Sequence, residues 1–282
     1  MNVLVKNRSV LNSIKKFLRY RHLLTFLYRV IFIKTFIYFF DRKSPRGGSI
    51  SKNGFHYEKI SKKSIKDIEE YPQQSLINRD LSSEKLYYAF SEIFGKFKNV
   101  IIEYLGNDAK IDGIKIIKTS AEDSNKNISA NWHTDNVGIR LKLFICFDGD
   151  GSQPTYIINN KNQNINRILF DYFYEVKRWI GKTNKIINKN QIGLNHLTGS
   201  AYVFDTNNLH RGSYEKATSD RKILMFEFSR SEKHKFLKNA PIGTKKEYNN
   251  FRISKKYCNI SDFNFFIDPK RVNEEGNYIN YL

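Results

Sequence analysis

Three residues of this sequence have the types and spacing needed to hold a redox-active metal. His133 and Asp135 stand two apart in Asn131-Trp132-His133-Thr134-Asp135-Asn136, and His210 opens the run His210-Arg211-Gly212-Ser213. In an extended strand the side chains at i and i+2 leave the same face, so the imidazole and the carboxylate can reach one ion while Thr134 turns away. An H-x-D tripeptide is common by chance, and alone it describes a surface histidine beside a solvated aspartate. The second histidine changes its weight, because the β-type run from Gly199 to Asp205 delivers His210 after a short turn. Two imidazoles and one carboxylate on one side of an ion form the facial set of non-haem ferrous oxygenases. Three positions then stay open, two for the oxygens of a chelating 2-oxo acid and one for O2.

Arg221 supplies the complementary group. It comes eleven residues after His210 and begins the run Arg-Lys-Ile-Leu-Met-Phe-Glu-Phe-Ser. The intervening segment holds Gly212, Ser213, Ser219 and Asp220, turn formers that let the chain reverse and bring Arg221 onto a neighbouring strand. A guanidinium there can take the distal carboxylate of 2-oxoglutarate through two parallel hydrogen bonds, a geometry that lysine matches less well.

Two competing readings have their own residues. Asp148-Gly149-Asp150 follows the apolar run Leu143 to Phe147, and a D-x-D after such a strand is how many glycosyltransferases bind a metal-bound nucleotide sugar. Asp-Gly is also a common turn, and the glycosyltransferase reading gives His210 and Arg221 no role. A noncatalytic jelly-roll binding protein is the third option, favoured if a ligand were missing. His22, His56, His196 and His234 are read as structural, and Trp132 as either a pocket wall or a core aromatic.

The elements that must position these groups are mostly strands. A short β-branched run at Ile111 to Ile117 predicts one. Ile139, Leu141, Leu143, Ile145 and Phe147 alternate as a strand with one buried face. Further strands are predicted at Pro154 to Ile158, Gly199 to Asp205 and Arg221 to Ser229. A helix is expected from the Ser82-Ser83-Glu84 cap to about Gly106, with Leu86, Phe90, Ile93, Phe94, Phe97 and Ile101 on one face, and another from Asn164 to Ile180. Short strands with Gly and Asp turns predict a sandwich or jelly roll buttressed by helices, mainly β with helical additions (α+β).

Composition sets the surroundings. The 282 residues include 22 Phe and 17 Tyr and are 40% hydrophobic, which excludes a largely disordered chain. Only Cys146 and Cys258 occur, so no disulfide framework is expected and a cytoplasmic location fits. Half of the net charge of +20 falls in residues 1–48, where eleven basic side chains oppose Asp41 alone. That segment also carries the apolar stretch Phe26 to Phe40, interrupted by Arg29 and Lys34, which argues against a membrane span. No small-residue cleavage site follows it, so no secretory signal is expected. It is expected to be helical, either lying on an anionic membrane or packed on the domain with its basic stems snorkelling, so the protein would be cytoplasmic or peripheral to the membrane through residues 1–45. Nucleic acid ranks lower as a partner, because no nucleic-acid module accompanies the charge. Gly47-Gly48 and the Ser and Lys residues after them read as a linker. The expected organisation is therefore a basic N-terminal segment over 1–48, a jelly-roll domain over 49–230 and a basic extension over 231–282.

Taken in order, W-H-T-D-N, L-F-I-C-F, P-T-Y-I, F-D-x-x-x-x-H-R-G-S and R-x-I-L-x-F-x-F-S resemble the phytanoyl-CoA dioxygenase family over about Ile111 to Ser229. The resemblance implies a double-stranded β-helix, Fe(2+) held by His133, Asp135 and His210, and 2-oxoglutarate held by Arg221. It further implies oxidative decarboxylation of 2-oxoglutarate with O2 to succinate and CO2, coupled to hydroxylation of a second substrate. Tyr156 or Ser213 would then be candidate donors to the 2-oxoglutarate carboxylate, with an ordinary structural hydroxyl as the alternative for each. Asn159-Asn160-Lys161 departs from the P-G-S-H that family members often carry, in a loop bordering the substrate entrance. The substrate is left open between a small molecule and a lipid-linked one.

Overall fold

The computed structural model describes residues 47–71, 84–122, 130–133, 135, 140–158, 191–206, 208–213, 217–230, 251–252 and 261–278. The basic segment before residue 47, the helix expected over 164–180 and the Ser82-Ser83 cap lie outside the described residues. In chain order the described elements are α1 (Gly48–Asn53), β1 (Phe55–Lys59), α2 (Lys62–Glu70), α3 (Glu84–Leu105), β2 (Ala109–Thr119), β3 (Leu141–Asp148), β4 (Thr155–Ile158), β5 (Gln191–Leu194), β6 (Ser200–Asp205), β7 (Leu209–Gly212), β8 (Arg221–Arg230), β9 (Phe251–Arg252), α4 (Ser261–Phe265) and β10 (Asn277–Tyr278). Antiparallel strands with a few helices therefore make up the described fold, matching the expected mainly-β class.

Five strands form the larger sheet in the order β1-β6-β3-β8-β2, and three form a smaller one in the order β5-β4-β7. Alternation along the strands decides what each face meets. In β8, Leu224, Phe226 and Phe228 join the cluster that includes Phe90, Phe94 and Phe97 of α3. Ile223 and Met225 instead pack with Phe144, Phe204, Ile157 of β4 and Leu194 of β5. The molecule is thus layered as helix, large sheet, small sheet, and β8 is buried on both sides. Its near-continuous apolar sequence follows from that position.

α3 forms because its apolar residues recur three and four apart, and Leu86, Phe90, Ile93, Phe94, Phe97 and Ile101 are all buried. Phe90 and Phe94 meet the Phe226 ring edge-on, with centroids 5.3 and 5.1 Å away. Such pairs each add roughly 0.5–1.5 kcal/mol beyond the area they bury.

One stretch differs from expectation, and a second, within the expected extension, packs on the domain. The region expected to be a linker is helical from Gly48: Ile50 is buried, and the Gly47 amide donates to the Glu103 carbonyl at 3.0 Å. Residues 261–278 do not hang off the domain. Phe263 and Phe266 enter the helix-side core, and the Ile111 amide donates to the Phe266 carbonyl. Among the described residues no helix is long and apolar enough to cross a membrane.

Candidate metal centre

β6 ends at Asp205, whose carboxylate accepts the Tyr104 hydroxyl of α3 at 2.6 Å. The turn that follows is tied on both sides. The Thr206 amide and hydroxyl both donate to the Arg140 carbonyl, and the Thr206 carbonyl accepts the Asp135 amide. The turn closes with the Asn208 amide on the Asp205 carbonyl and passes into β7, where His210 pairs with Ile157 of β4. On the other side His210 exchanges two backbone hydrogen bonds with His133, at 2.9 and 3.0 Å. His133 is therefore a fourth rung beside the small sheet, and this rung brings the two histidines, far apart in sequence, into one site.

His133, Asp135 and His210 form a cluster whose ligand atoms all lie within 4.8 Å of one another. Oδ1 of Asp135 is 3.8 Å from Nε2 of His133 and 3.7 Å from Nε2 of His210. Donors about 2.1 Å from a shared ion can be at most about 4.2 Å apart, so both separations suit a common ion. The tautomers suit it as well. Nδ1 of His133 donates to the Asn131 carbonyl at 2.7 Å, and Nδ1 of His210 donates to the Asn208 carbonyl at 2.9 Å. A carbonyl can only accept, so in the neutral rings Nε2 carries the free lone pair, the atom a metal requires.

Charged groups surround Asp135. Its Oδ2 accepts from Arg140 Nη2 at 2.7 Å and from Lys142 Nζ at 2.6 Å, while Arg140 Nη1 reaches the buried Glu227 carboxylate at 3.4 Å. Burial works against the Asp135 charge, but the Lys142 and Arg140 cations outweigh it and hold the carboxyl well below the usual carboxylate range. The group is ionised and available as an anionic ligand.

Arg221 is not part of this cluster. It pairs with Thr119 at the start of β8 and by alternation shares the inner face with Ile223, Met225 and Glu227. Its guanidinium donates to the Gln153 carbonyl and to the Thr119 hydroxyl. Arg221 and Glu227 thus bracket the inner face at its two ends, six residues or about 20 Å of strand apart.

The structure does not bring Tyr156 and Ser213 to the cluster. Tyr156 lies on the opposite face of β4 from Ile157, packed with Trp132, Ile158 and Leu209, and the Arg211 guanidinium sits 5.2 Å from its ring centroid. Trp132 shares that outer face and is a core aromatic rather than a pocket wall. Ser213 lies past the end of β7, where its amide donates to the Pro154 carbonyl. The Asp148-Gly149-Asp150 carboxylates serve a turn: Asp148 accepts from Lys222 at 2.7 Å, and Asp150 accepts from the Ser152 amide and the Thr218 hydroxyl. Gly149 is needed there because a Cβ would meet the His196 carbonyl at 2.6 Å and the Cys146 sulfur at 2.9 Å. Among the described residues the one metal-sized cluster is that of His133, Asp135 and His210.

Sequence reasoning passed over Arg140, Lys142 and Glu227. A signal for them existed: Lys142 stands in the inward register with Phe144 and Cys146, and Glu227 with Ile223 and Met225. A charge at such a position must find a partner.

No protein-family model matches the chain, and no curated protein matches it in sequence. Solved structures do. Apo HygX from Streptomyces hygroscopicus superposes with a TM-score of 0.46 at 7% identity, over 64% of this chain and 84% of that one. ThoJ, a non-heme monooxygenase in its apo form, gives a TM-score of 0.44 at 8% identity, over 64% and 75%. EvdO2 from Micromonospora carbonacea var. aurantiaca, in complex with 2-oxoglutarate, gives 0.42 at 11% identity, over 67% and 94%.

Proposed function

We propose that this protein is an Fe(II)- and 2-oxoglutarate-dependent dioxygenase that hydroxylates a small-molecule or lipid-linked substrate. The observation that carries the reading is the convergence of His133 Nε2, His210 Nε2 and Asp135 Oδ1, with both Nδ1 atoms already tied to backbone carbonyls. The chain's alternation between sheets is consistent with a double-stranded β-helix: β2, β3, β6 and β8 lie in the large sheet, and the His133 rung, β4, β5 and β7 in the small one.

When bound, ferrous iron would supply the redox chemistry by which O2 decarboxylates 2-oxoglutarate and hydroxylates a second substrate. The chain's own residues bind and orient. His133, Asp135 and His210 hold one side of the ion and leave the other side for co-substrates. Arg221 is the candidate for the distal carboxylate of 2-oxoglutarate, as a buried guanidinium on the inner face. The apolar side chains of Phe144, Phe204, Ile157, Ile223 and Met225 pack against one another between the two sheets, away from water. Residues 1–48, the jelly-roll domain over 49–230 and the extension over 231–282, of which 261–278 pack on the domain, are proposed as the divisions, the first either contacting an anionic membrane or packing on the domain.

The test is anaerobic addition of Fe(II) and then 2-oxoglutarate to the purified protein. A weak visible charge-transfer band is expected on the second addition, followed by succinate release on admitting oxygen, both lost in His133→Ala. Absence of the band in the wild-type protein overturns the reading. Arg221→Lys should weaken 2-oxoglutarate binding about tenfold, or ~1.4 kcal/mol, with Fe(II) binding kept. Unchanged 2-oxoglutarate affinity removes Arg221 from its role.

A further inference from the structure

The two oxygens of Asp135 are treated very differently. Oδ1 faces both imidazoles, at 3.8 and 3.7 Å. Oδ2 faces away and accepts from two cations at once, Arg140 at 2.7 Å and Lys142 at 2.6 Å. An arginine that served only to neutralise a carboxylate would grip both oxygens with its two-pronged fork. The Arg140 fork is instead split, with Nη2 on Asp135 and Nη1 on Glu227. Lys142 comes from the next inward position and adds its ammonium to the same oxygen, with Glu227 Oε1 only at 4.0 Å. Charge neutrality alone would be met by pairing Lys142 with Glu227 and Arg140 with Asp135, so the convergence on one atom asks for another account.

Coordination number gives one. An octahedral ion held by two imidazole nitrogens and one carboxylate oxygen keeps three positions, enough for a chelating keto acid and O2. If the carboxylate bound through both oxygens, only two would remain, and the keto acid and O2 would compete.

We propose that Lys142, acting with Arg140, is a positioning residue that occupies Oδ2 of Asp135 and so keeps this carboxylate a one-oxygen ligand, reserving the third open position of the metal. The proposal rests on reading the cluster as an iron and 2-oxoglutarate site, and it deepens that reading. Lys142 acts through Asp135 and need not touch either co-substrate.

The test uses the full chain loaded with Co(II), whose visible d–d spectrum reports coordination, as wild type, Lys142→Met and Lys142→Arg. Methionine keeps the length of the stem and removes the charge; arginine restores it. Calorimetry gives the Co(II) affinity and then the 2-oxoglutarate affinity of the Co(II) form. Lys142→Met should retain Co(II), weaken 2-oxoglutarate binding by on the order of tenfold, the lower end of what loss of a group behind a metal ligand costs in activity, and show an altered d–d spectrum. Lys142→Arg should return both towards wild type. An unchanged spectrum with unchanged 2-oxoglutarate affinity in Lys142→Met overturns the proposal. So does a parallel loss of Co(II) and 2-oxoglutarate that Lys142→Arg fails to restore, since that describes an ordinary structural ion pair. If Lys142→Met does not fold, infrared difference spectra of wild-type protein on adding Zn(II) decide: the splitting between the two carboxylate stretches widens for one-oxygen ligation and narrows if both oxygens bind. Failure of wild type to bind Co(II) overturns the metal-centre reading and this proposal together, whereas normal wild-type binding with an unaltered Lys142→Met overturns this proposal alone.

Discussion

The two faces of β8 divide the work of the molecule. On the face towards α3, Leu224, Phe226 and Phe228 are fully buried among aromatic rings, and Phe228 also meets Phe266 at 5.2 Å. On the other face Ile223 and Met225 are equally buried, but Arg221 and Glu227 stand at either end, and Lys142 on neighbouring β3 lies opposite Glu227. Both faces belong to one strand, so backbone pairing is shared and only the side chains differ. The helix side is apolar between its ends, where Lys222 and Arg230 pair with Asp148 and Asp108. The inner side holds charges, each of which requires a partner because removal from water is so unfavourable. A substitution on the first face should therefore lower stability and leave binding chemistry intact in the molecules that fold, whereas one on the second should disturb binding and charge balance together.

The largest effect is expected on the helix side. Phe226→Ala removes a ring that touches Phe90 and Phe94 at once, and large-to-small changes of this kind cost about 3–5 kcal/mol. Urea denaturation should show a lower midpoint with an unchanged slope, and Co(II) should still bind the folded fraction at wild-type affinity. Weakened metal binding in that fraction would break the division between the faces.

Asp135→Ala should come next and act on both properties. It removes a metal ligand and leaves Arg140 and Lys142 with Glu227 alone, so about 3 kcal/mol of stability should go with the metal site. His210→Ala removes a ligand but no charge and should abolish Co(II) binding at a stability loss of no more than about half as much. Equal stability losses in the two variants would mean that Asp135 is not what neutralises the cations.

The inner face also contains a titrating group at its other end. His196 is fully buried, its Nε2 lies 2.9 Å from the Thr155 hydroxyl, and burial together with the Arg221 charge holds its pKa well below the ordinary histidine value. The folded protein therefore refuses a proton that the unfolded chain accepts. Above about pH 6.5 neither state binds it and stability is complete; as pH falls below that value stability drops by up to about 1.4 kcal/mol per unit. His196→Gln should flatten this part of the profile between pH 7 and 5. A slope that persists unchanged in the variant would assign the dependence to other groups.

Much of this arrangement was legible from residue types. The strands at β2, β3, β6 and β8 and the long helix α3 follow from alternation and from three-and-four spacing, because their burial is regular along many residues. The metal cluster was legible because its ligands are chemically rare side chains. β1, β5 and β7 were not: each gains its pairing from another strand, which no local period reports. The helix α1 was hidden by its glycines. Residue types alone also did not decide which way Tyr156 faces, since a one-residue shift in register exchanges the two sides of a strand. Asp148 and Asp150 illustrate the same limit, as spacing alone did not separate a turn from a metal motif.

The smallest effect is expected on the outer face of the small sheet, and it sharpens the contrast by its size. Tyr156 and Ile157 are adjacent in β4, yet Ile157 packs between the sheets while Tyr156 packs outward under Arg211. Tyr156→Phe keeps the ring and with it the attraction for the Arg211 guanidinium, so stability should move by less than about 0.5 kcal/mol. If the hydroxyl has no part in holding 2-oxoglutarate, its affinity in the Co(II) form should equal that of wild type. A loss of 2-oxoglutarate binding in Tyr156→Phe would mean that β4 presents its other face to the co-substrate, which would also turn His210, paired directly with Ile157, away from the metal. One hydroxyl deletion at an outward position thus tests the register on which the whole centre depends.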